Sequence, residues 1–195
     1  MNKLIFNLII VKNYKMDEIE KILNFWFIEC KPEQWFKKNE DFDQMIKIRF
    51  YGTIEDAIEG KMDNWEETET GCLALIIVLD QFTRNVFRDT PRDFAGDKRS
   101  LALSQTCCDK DYLNNPDINR RQFMLMPMMH SENLAVQDAA LPLFNKYASK
   151  KDYEYAETHR EIIAMFGRFP HRNVILGRNS TIEELEFLKQ PGSSF

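Results

Sequence analysis

Three short segments hold most of the side chains that could do chemistry. In LDQFTRNVFRD, Asp80, Arg84 and Arg88 follow one another at four-residue spacing, with Asn85 beside them. On a helix that spacing lines up one face, and Asp before Arg is the favourable ion-pair order. Asp80 ends the apolar run CLALIIVL, so partial burial is expected, and a buried carboxylate needs a partner. The three form either a structural ion-pair ladder or a cavity wall where a guanidinium holds an anion. The second segment is His130-Ser131-Glu132, which follows MLMPMM at an expected helix start. An imidazole there is a proton carrier or orients a ligand; the alternative is a capping network. The third is the tail FGRFPHRNVILGRNST, residues 166–181, with His159 on the preceding helix. It carries Arg168, His171, Arg172, Asn173 and Arg178, and no carboxylate occurs between 166 and 178. Gly167 and Gly177 each precede an arginine and permit tight turns that aim it. Guanidinium groups grip carboxylate or phosphate through two parallel hydrogen bonds, and the N–H groups opening the last helix would add to such a site. Equally open is simple neutralisation of Asp80, Asp97, Glu132 and Glu161.

Other chemistries lack a pattern. No G-x-S-x-G, H-E-x-x-H or Walker glycine loop occurs. His130, His159 and His171 would make a three-histidine site only if the fold gathered them, which their spacing does not predict. The methionines of 124–129 read as flexible core filling rather than copper ligands. Cys30, Cys72, Cys107 and Cys108 contain no CxxC pair and read as reduced thiols. Neither a metal nor a cofactor is expected.

The positioning elements read as helices throughout. Ile19, Ile22, Leu23, Trp26 and Phe27 make an apolar stripe after Asp17. A second helix is expected over 40–59 with a break near Gly52, ended by Gly60 as the residue past the C-terminus. An acidic loop over 63–70 leads to a buried helix over 71–87. Thr90-Pro91 starts a helix to about Cys108. Another runs from Ile118 and stops at Pro127. Ser131 caps 132–149, which Pro142 kinks or splits. A helix from Asp152 to Phe166 precedes irregular chain over 167–179. Ser180 caps the last helix, with Glu183 completing a capping box.

The 195 residues suit one domain, net charge is −5, and 44% of residues are hydrophobic. That charge offers no general nucleic-acid face. Residues 1–15, MNKLIFNLIIVKNYK, read as an extension upstream of a start at Met16 rather than a secretion signal, and the apolar run is too short to span a bilayer. A single all-helical domain over 16–195, in the cytoplasm and off the membrane, is the expectation.

Together LALIIVLDQFTRNVFR, PMMHSE and FGRFPHRNVILGRNSTIEELEFL, with the earlier FWF and WF, resemble the bacterial domain-of-unknown-function 924 family over residues 17–195. The resemblance implies an all-α, tetratricopeptide-like array, here seven to eight antiparallel helices, and no established activity. The leading functional expectation is a pocket for a small anionic or polar ligand, with catalysis left open. Arg84, Arg168 and Arg172 would bind the anion, within a set that includes Asp80, Asn85, Arg88, His159, Asn173 and Arg178. His130 or His171 would move a proton, and Glu132 would orient the imidazole. Two alternatives stand beside it: a groove that clamps a protein partner's carboxylate, and a purely structural polar network. Oligomeric state is not legible.

Overall fold

The helices are assigned from a computed structural model that describes residues 17–194, and no strand occurs among them. Expectations about residues 1–15 lie outside that range. Helix α1, Glu18–Asn24, is capped by the Asp17 carboxylate, which accepts from the Glu20 amide at 2.8 Å. It passes into a π-helical turn, Phe25–Glu29. After the single turn α2, Pro32–Trp35, comes α3, Glu40–Ile58. It runs unbroken through Gly52, and Gly60 follows its end at φ 77°.

The centre of the molecule is one rod. Helix α4, Glu69–Ile76, continues as a π-helical stretch, Ile77–Phe82, and then as α5, Thr83–Val86. Every residue from Cys72 to Thr83 is buried, the pattern of a helix apolar all round and packed on every side. Helices α1 and α3 and two later ones, Asp97–Asp109 and Ile118–Met129, surround it. Phe25, Trp26, Trp35, Phe42, Phe82 and Phe123 interlock in the core, and the Trp35 indole N–H donates to the Trp26 carbonyl at 2.9 Å.

Helices α6 (Asp97–Asp109), α7 (Ile118–Met129), α8 (Leu134–Tyr147) and α9 (Lys150–Phe166) then pack each against the next in chain order. That order fits an array of helical hairpins. A short α10, Ile182–Phe187, closes the described chain. The tail builds a small core of its own from Ile162, Ile163 and Phe169, flanked by Phe166 and Phe187.

Boundaries differ from expectation in several places. Pro91–Phe94 forms a 3-10 turn, and α6 begins only at Asp97. Pro127 sits inside α7; so near the C-terminus its missing N–H removes one bond without ending the helix. Asn133 rather than Ser131 caps α8, accepting from Ala135 N at 2.9 Å, and Pro142 is carried within that unsplit helix. The last capping box lies one residue later, on Thr181 and Glu184. Among the described residues no helix is long and apolar enough to cross a membrane.

Candidate functional site

Asp80 lies within the π-helical stretch of the central rod and is fully buried. Insertions of this kind recur at functional positions because they re-aim side chains within a helix. One turn on, Arg84 returns to it: Nη1 donates to the Asp80 carbonyl at 2.7 Å and stands 3.2 Å from Oδ1. The Arg84 Nη2 atom pairs with Asp97 Oδ1 at 2.8 Å. Gly96 makes that second contact reachable. A Cβ there would stand 2.1 Å from the Leu79 carbonyl oxygen, so only glycine lets the start of α6 press against the rod.

His130 ends α7 and completes the group, its Nδ1 lying 2.8 Å from Asp80 Oδ1. Burial alone would push the Asp80 carboxyl up, but Arg84 and His130, with hydrogen bonds from His130 and Gln81, outweigh it and hold it well below the usual carboxylate range. Burial, against the pull of Asp80 and aided by Arg84, lowers His130. The consequence is a definite tautomer. An ionised carboxylate only accepts, so Nδ1 of the neutral ring carries the proton and Nε2 keeps its lone pair. The buried carboxylate thus fixes the orientation and tautomer of the imidazole.

The tail supplies the other wall. Gly167 ends α9 at φ 68°, in the left-handed region that favours glycine. The chain then folds back so that Glu132 clasps both ends of the turn. Its Oε1 accepts from Phe169 N at 2.8 Å, and the Arg178 guanidinium donates at 2.7 and 3.0 Å. Burial works against ionised Glu132, but these donors overcome it and lower its pKa. Arg168 turns outward to Glu184, donating at 2.7 and 2.9 Å, and Asn173 donates to Ser180 and to Glu184.

Arg172 is placed differently. It is 5% exposed, and its guanidinium lies between the rings of Phe94 and Phe169, 4.8 and 4.6 Å from their centroids. Its hydrogen bond to a carboxylate is a long one, Nη1 to Asp97 Oδ2 at 3.4 Å. Its Nε is buried without a hydrogen-bond partner among the described residues. Burial and the nearby Arg84 charge bring its pKa down to about 10. Asp93, buried beside the same cluster, is pushed up to about 6 by burial, against Arg84 and reinforced by Asp97.

These groups surround a cavity of about 370 Å³. Asp80, Asp97, His130, Glu132, Arg172 and the exposed Lys98 give it charge, while Phe94, Leu101, Pro127 and Leu176 give it apolar wall. Behind His130 lies His159, ring centroids 6.4 Å apart, its Nδ1 donating to the Tyr155 carbonyl at 2.7 Å. His171 packs on Phe169 at 5.7 Å. Burial, reinforced by neighbouring cationic groups, brings His159 down to about 3 and His171 to about 4. Among the described residues no set of three or more histidine, cysteine or carboxylate groups could hold a metal ion.

Of the residues singled out from sequence, Asp80, Arg84, His130, Glu132 and Arg172 meet here, with His159, His171 and Arg178 against them. Asn85 and Arg88 do not. The helix ends at Val86, so Arg88 falls past its end and leaves the Asp80 face. Both turn to Asp43: Arg88 donates at 2.9 Å from Nε and from Nη2, and Asn85 at 2.7 Å. Arg168 and Asn173 hold the tail to α10. The partner of His130 is Asp80, and Glu132 is occupied by Arg178 and Phe169. Asp93, Phe94 and Lys98 were not anticipated as site residues, and Asp97 only as a counter-charge. The four-residue spacing of Asp93 and Asp97 near Arg84 was the signal available.

Fold and site define an all-helical protein with a half-open cavity lined by charged and apolar side chains from stretches distant in sequence. The chain belongs to the family described as bacterial protein of unknown function (DUF924), whose profile matches residues 22–192. It is also similar to a solved protein of unknown function from Agrobacterium tumefaciens, at 34% identity and a TM-score of 0.84, over 89% of this chain and 97% of that one. No curated protein matches.

Proposed function

We propose that the cavity binds a small anionic ligand, with Arg172 as its anchor and His130 as the group that takes up or returns a proton. The observation that carries this is that Arg172, which lines the cavity, keeps a buried Nε without a hydrogen-bond partner. Leaving a charged donor buried and unsatisfied costs stability, and an anion accepting from it recovers that cost. The Asp80–His130 pair supports the proton role: a neutral imidazole with a fixed tautomer and an accepting Nε2 is what a general base requires. Asp80 and Arg84 act through His130 and are positioning residues. About 370 Å³ suits a small molecule better than an extended peptide, which disfavours the partner-protein groove. Four free thiols support a reducing compartment such as the cytoplasm.

Calorimetric titration with acetate and with inorganic phosphate tests the anion site. Saturable binding by at least one anion, weakened at least about tenfold in Arg172→Lys, supports it. Absence of binding by both at millimolar concentration removes it. A second reading, a structural network, is favoured by Glu132, whose oxygens are taken up by Arg178 and Phe169. It predicts that Arg172→Lys alters stability and no anion affinity.

A further inference from the structure

Resting on that reading, the geometry points to a narrower ligand class: a small monocarboxylate that carries a hydroxyl or N–H donor on an apolar body. The approach to Arg172 is restricted. The rings of Phe94 and Phe169 both lie against its guanidinium, and Nη1 is turned to Asp97. The Nε on the other edge is buried without a partner, and two coplanar oxygens match the fork it makes with Nη2.

The surrounding charge favours one negative charge over two. Asp80, Asp97 and Glu132 line the same cavity. Arg84 is committed to Asp80 and Asp97, and Arg178 to Glu132. The lining cations are Arg172 and Lys98. A phosphate dianion would meet three carboxylates in a partly desolvated space, where like charges repel more strongly than in water. A carboxylate meets the same groups with half the charge.

The donor requirement comes from His130. With the proton held on Nδ1 by Asp80, this lining residue keeps an acceptor at Nε2. A ligand hydroxyl or N–H satisfies it. Phe94, Leu101, Pro127 and Leu176 form the apolar wall against which a short hydrocarbon body rests. The volume lies near the lower end of roughly 300–1,000 Å³ for small-molecule sites.

The test is calorimetric titration of the full chain with butyrate, 2-hydroxybutyrate, 2-methoxybutyrate, inorganic phosphate and butyl phosphate. The expected order places 2-hydroxybutyrate about tenfold tighter than its methyl ether, the worth of one hydrogen bond. Butyrate binds tighter than either phosphate, and Arg172→Lys weakens all the carboxylates. The unmodified protein carries the comparison, so it stands even if that variant fails to fold. Tighter binding of butyl phosphate than butyrate, or equal affinity for hydroxy and methoxy acids, overturns the ligand class and leaves an anion site intact. Binding of none of the five overturns the ligand class and the anion site together.

Discussion

Two cavities of nearly the same size, about 370 and 380 Å³, lie at opposite ends of one short motif, and they are built on opposite terms. In the cavity around Asp43, polar groups close on one another. The Arg88 fork is matched by both Asp43 oxygens, and Asn85 adds a third bond. In the cavity around Asp80 the pairing is incomplete. Arg84 is shared between two carboxylates, Arg172 has a buried N–H without a partner, and His130 offers an accepting nitrogen. A closed ion pair explains its own presence through stability. A buried arginine that keeps one N–H without a partner does so only in part, and that contrast separates the structural cluster from the candidate site.

The largest expected effect comes from removing the shared cation. Among the described residues, Arg84→Leu removes the one cation paired with buried Asp80 besides His130 and leaves Asp97 only the long Arg172 bond, and unfolding in urea is expected to show a loss of roughly 3–5 kcal/mol. A loss below about 1 kcal/mol would mean the two carboxylates are answered elsewhere.

The histidines distinguish the cavities by pH. Their folded pKa values are lowered, to about 3 for His159 and about 4 for His171, with His130 also lowered. Unfolded histidine titrates near about 6.5, so the unfolded chain takes up protons first. The stability contributed by the neutral rings is therefore present above about pH 6.5 and is lost as pH falls toward the folded values. At pH 5 that is about 2 kcal/mol for each ring whose folded pKa lies below 5. Asp93 acts in reverse. Raised to about 6, it adds stability at low pH that disappears as pH rises through that value. Urea titrations across pH 4–8 are expected to show stability declining below pH 6.5, with a steeper decline in Asp93→Asn. A flat profile would show that the rings are not buried as neutral groups.

Arg88→Ala is expected to cost about 2 kcal/mol, in the range for charge-assisted bonds, and to leave anion affinity at the Arg172 cavity unchanged. Were it to weaken anion binding severalfold, the two cavities would be coupled and the contrast lost. The smallest effect is expected for Thr181→Ala, which removes the α10 cap at about 1 kcal/mol and leaves both clusters in place.

Much of the fold was legible because helical periodicity and capping are local. The apolar run 72–79 announced the central rod, and Gly60 and Gly167 marked helix ends. Misplaced boundaries arose where two neighbours compete for one role, as with Ser131 and Asn133 or Ser180 and Thr181. Pro127 misled because its cost depends on its distance from the helix end. The site was half legible: Asp80 and Arg84 at helical spacing, and a tail with no internal counter-charge. The rest depends on contacts between distant segments. Nothing local announces that Asp43 draws Asn85 and Arg88 away, that Gly96 brings Asp97 to Arg84, or that Phe94 and Phe169 enclose Arg172. The π-helical turn beneath Asp80 has no sequence signature either.

The proposed site requires Arg172 to keep an unmatched N–H for an anion where Arg88 keeps none. The guanidinium Nε–H signals of both residues, followed by ¹⁵N-edited NMR during titration with 2-hydroxybutyrate, report on that difference. The expected result is a saturable shift of the Arg172 signal together with the His130 ring, and an unmoved Arg88 signal. An unmoved Arg172 signal, or equal shifts at both arginines, would contradict it.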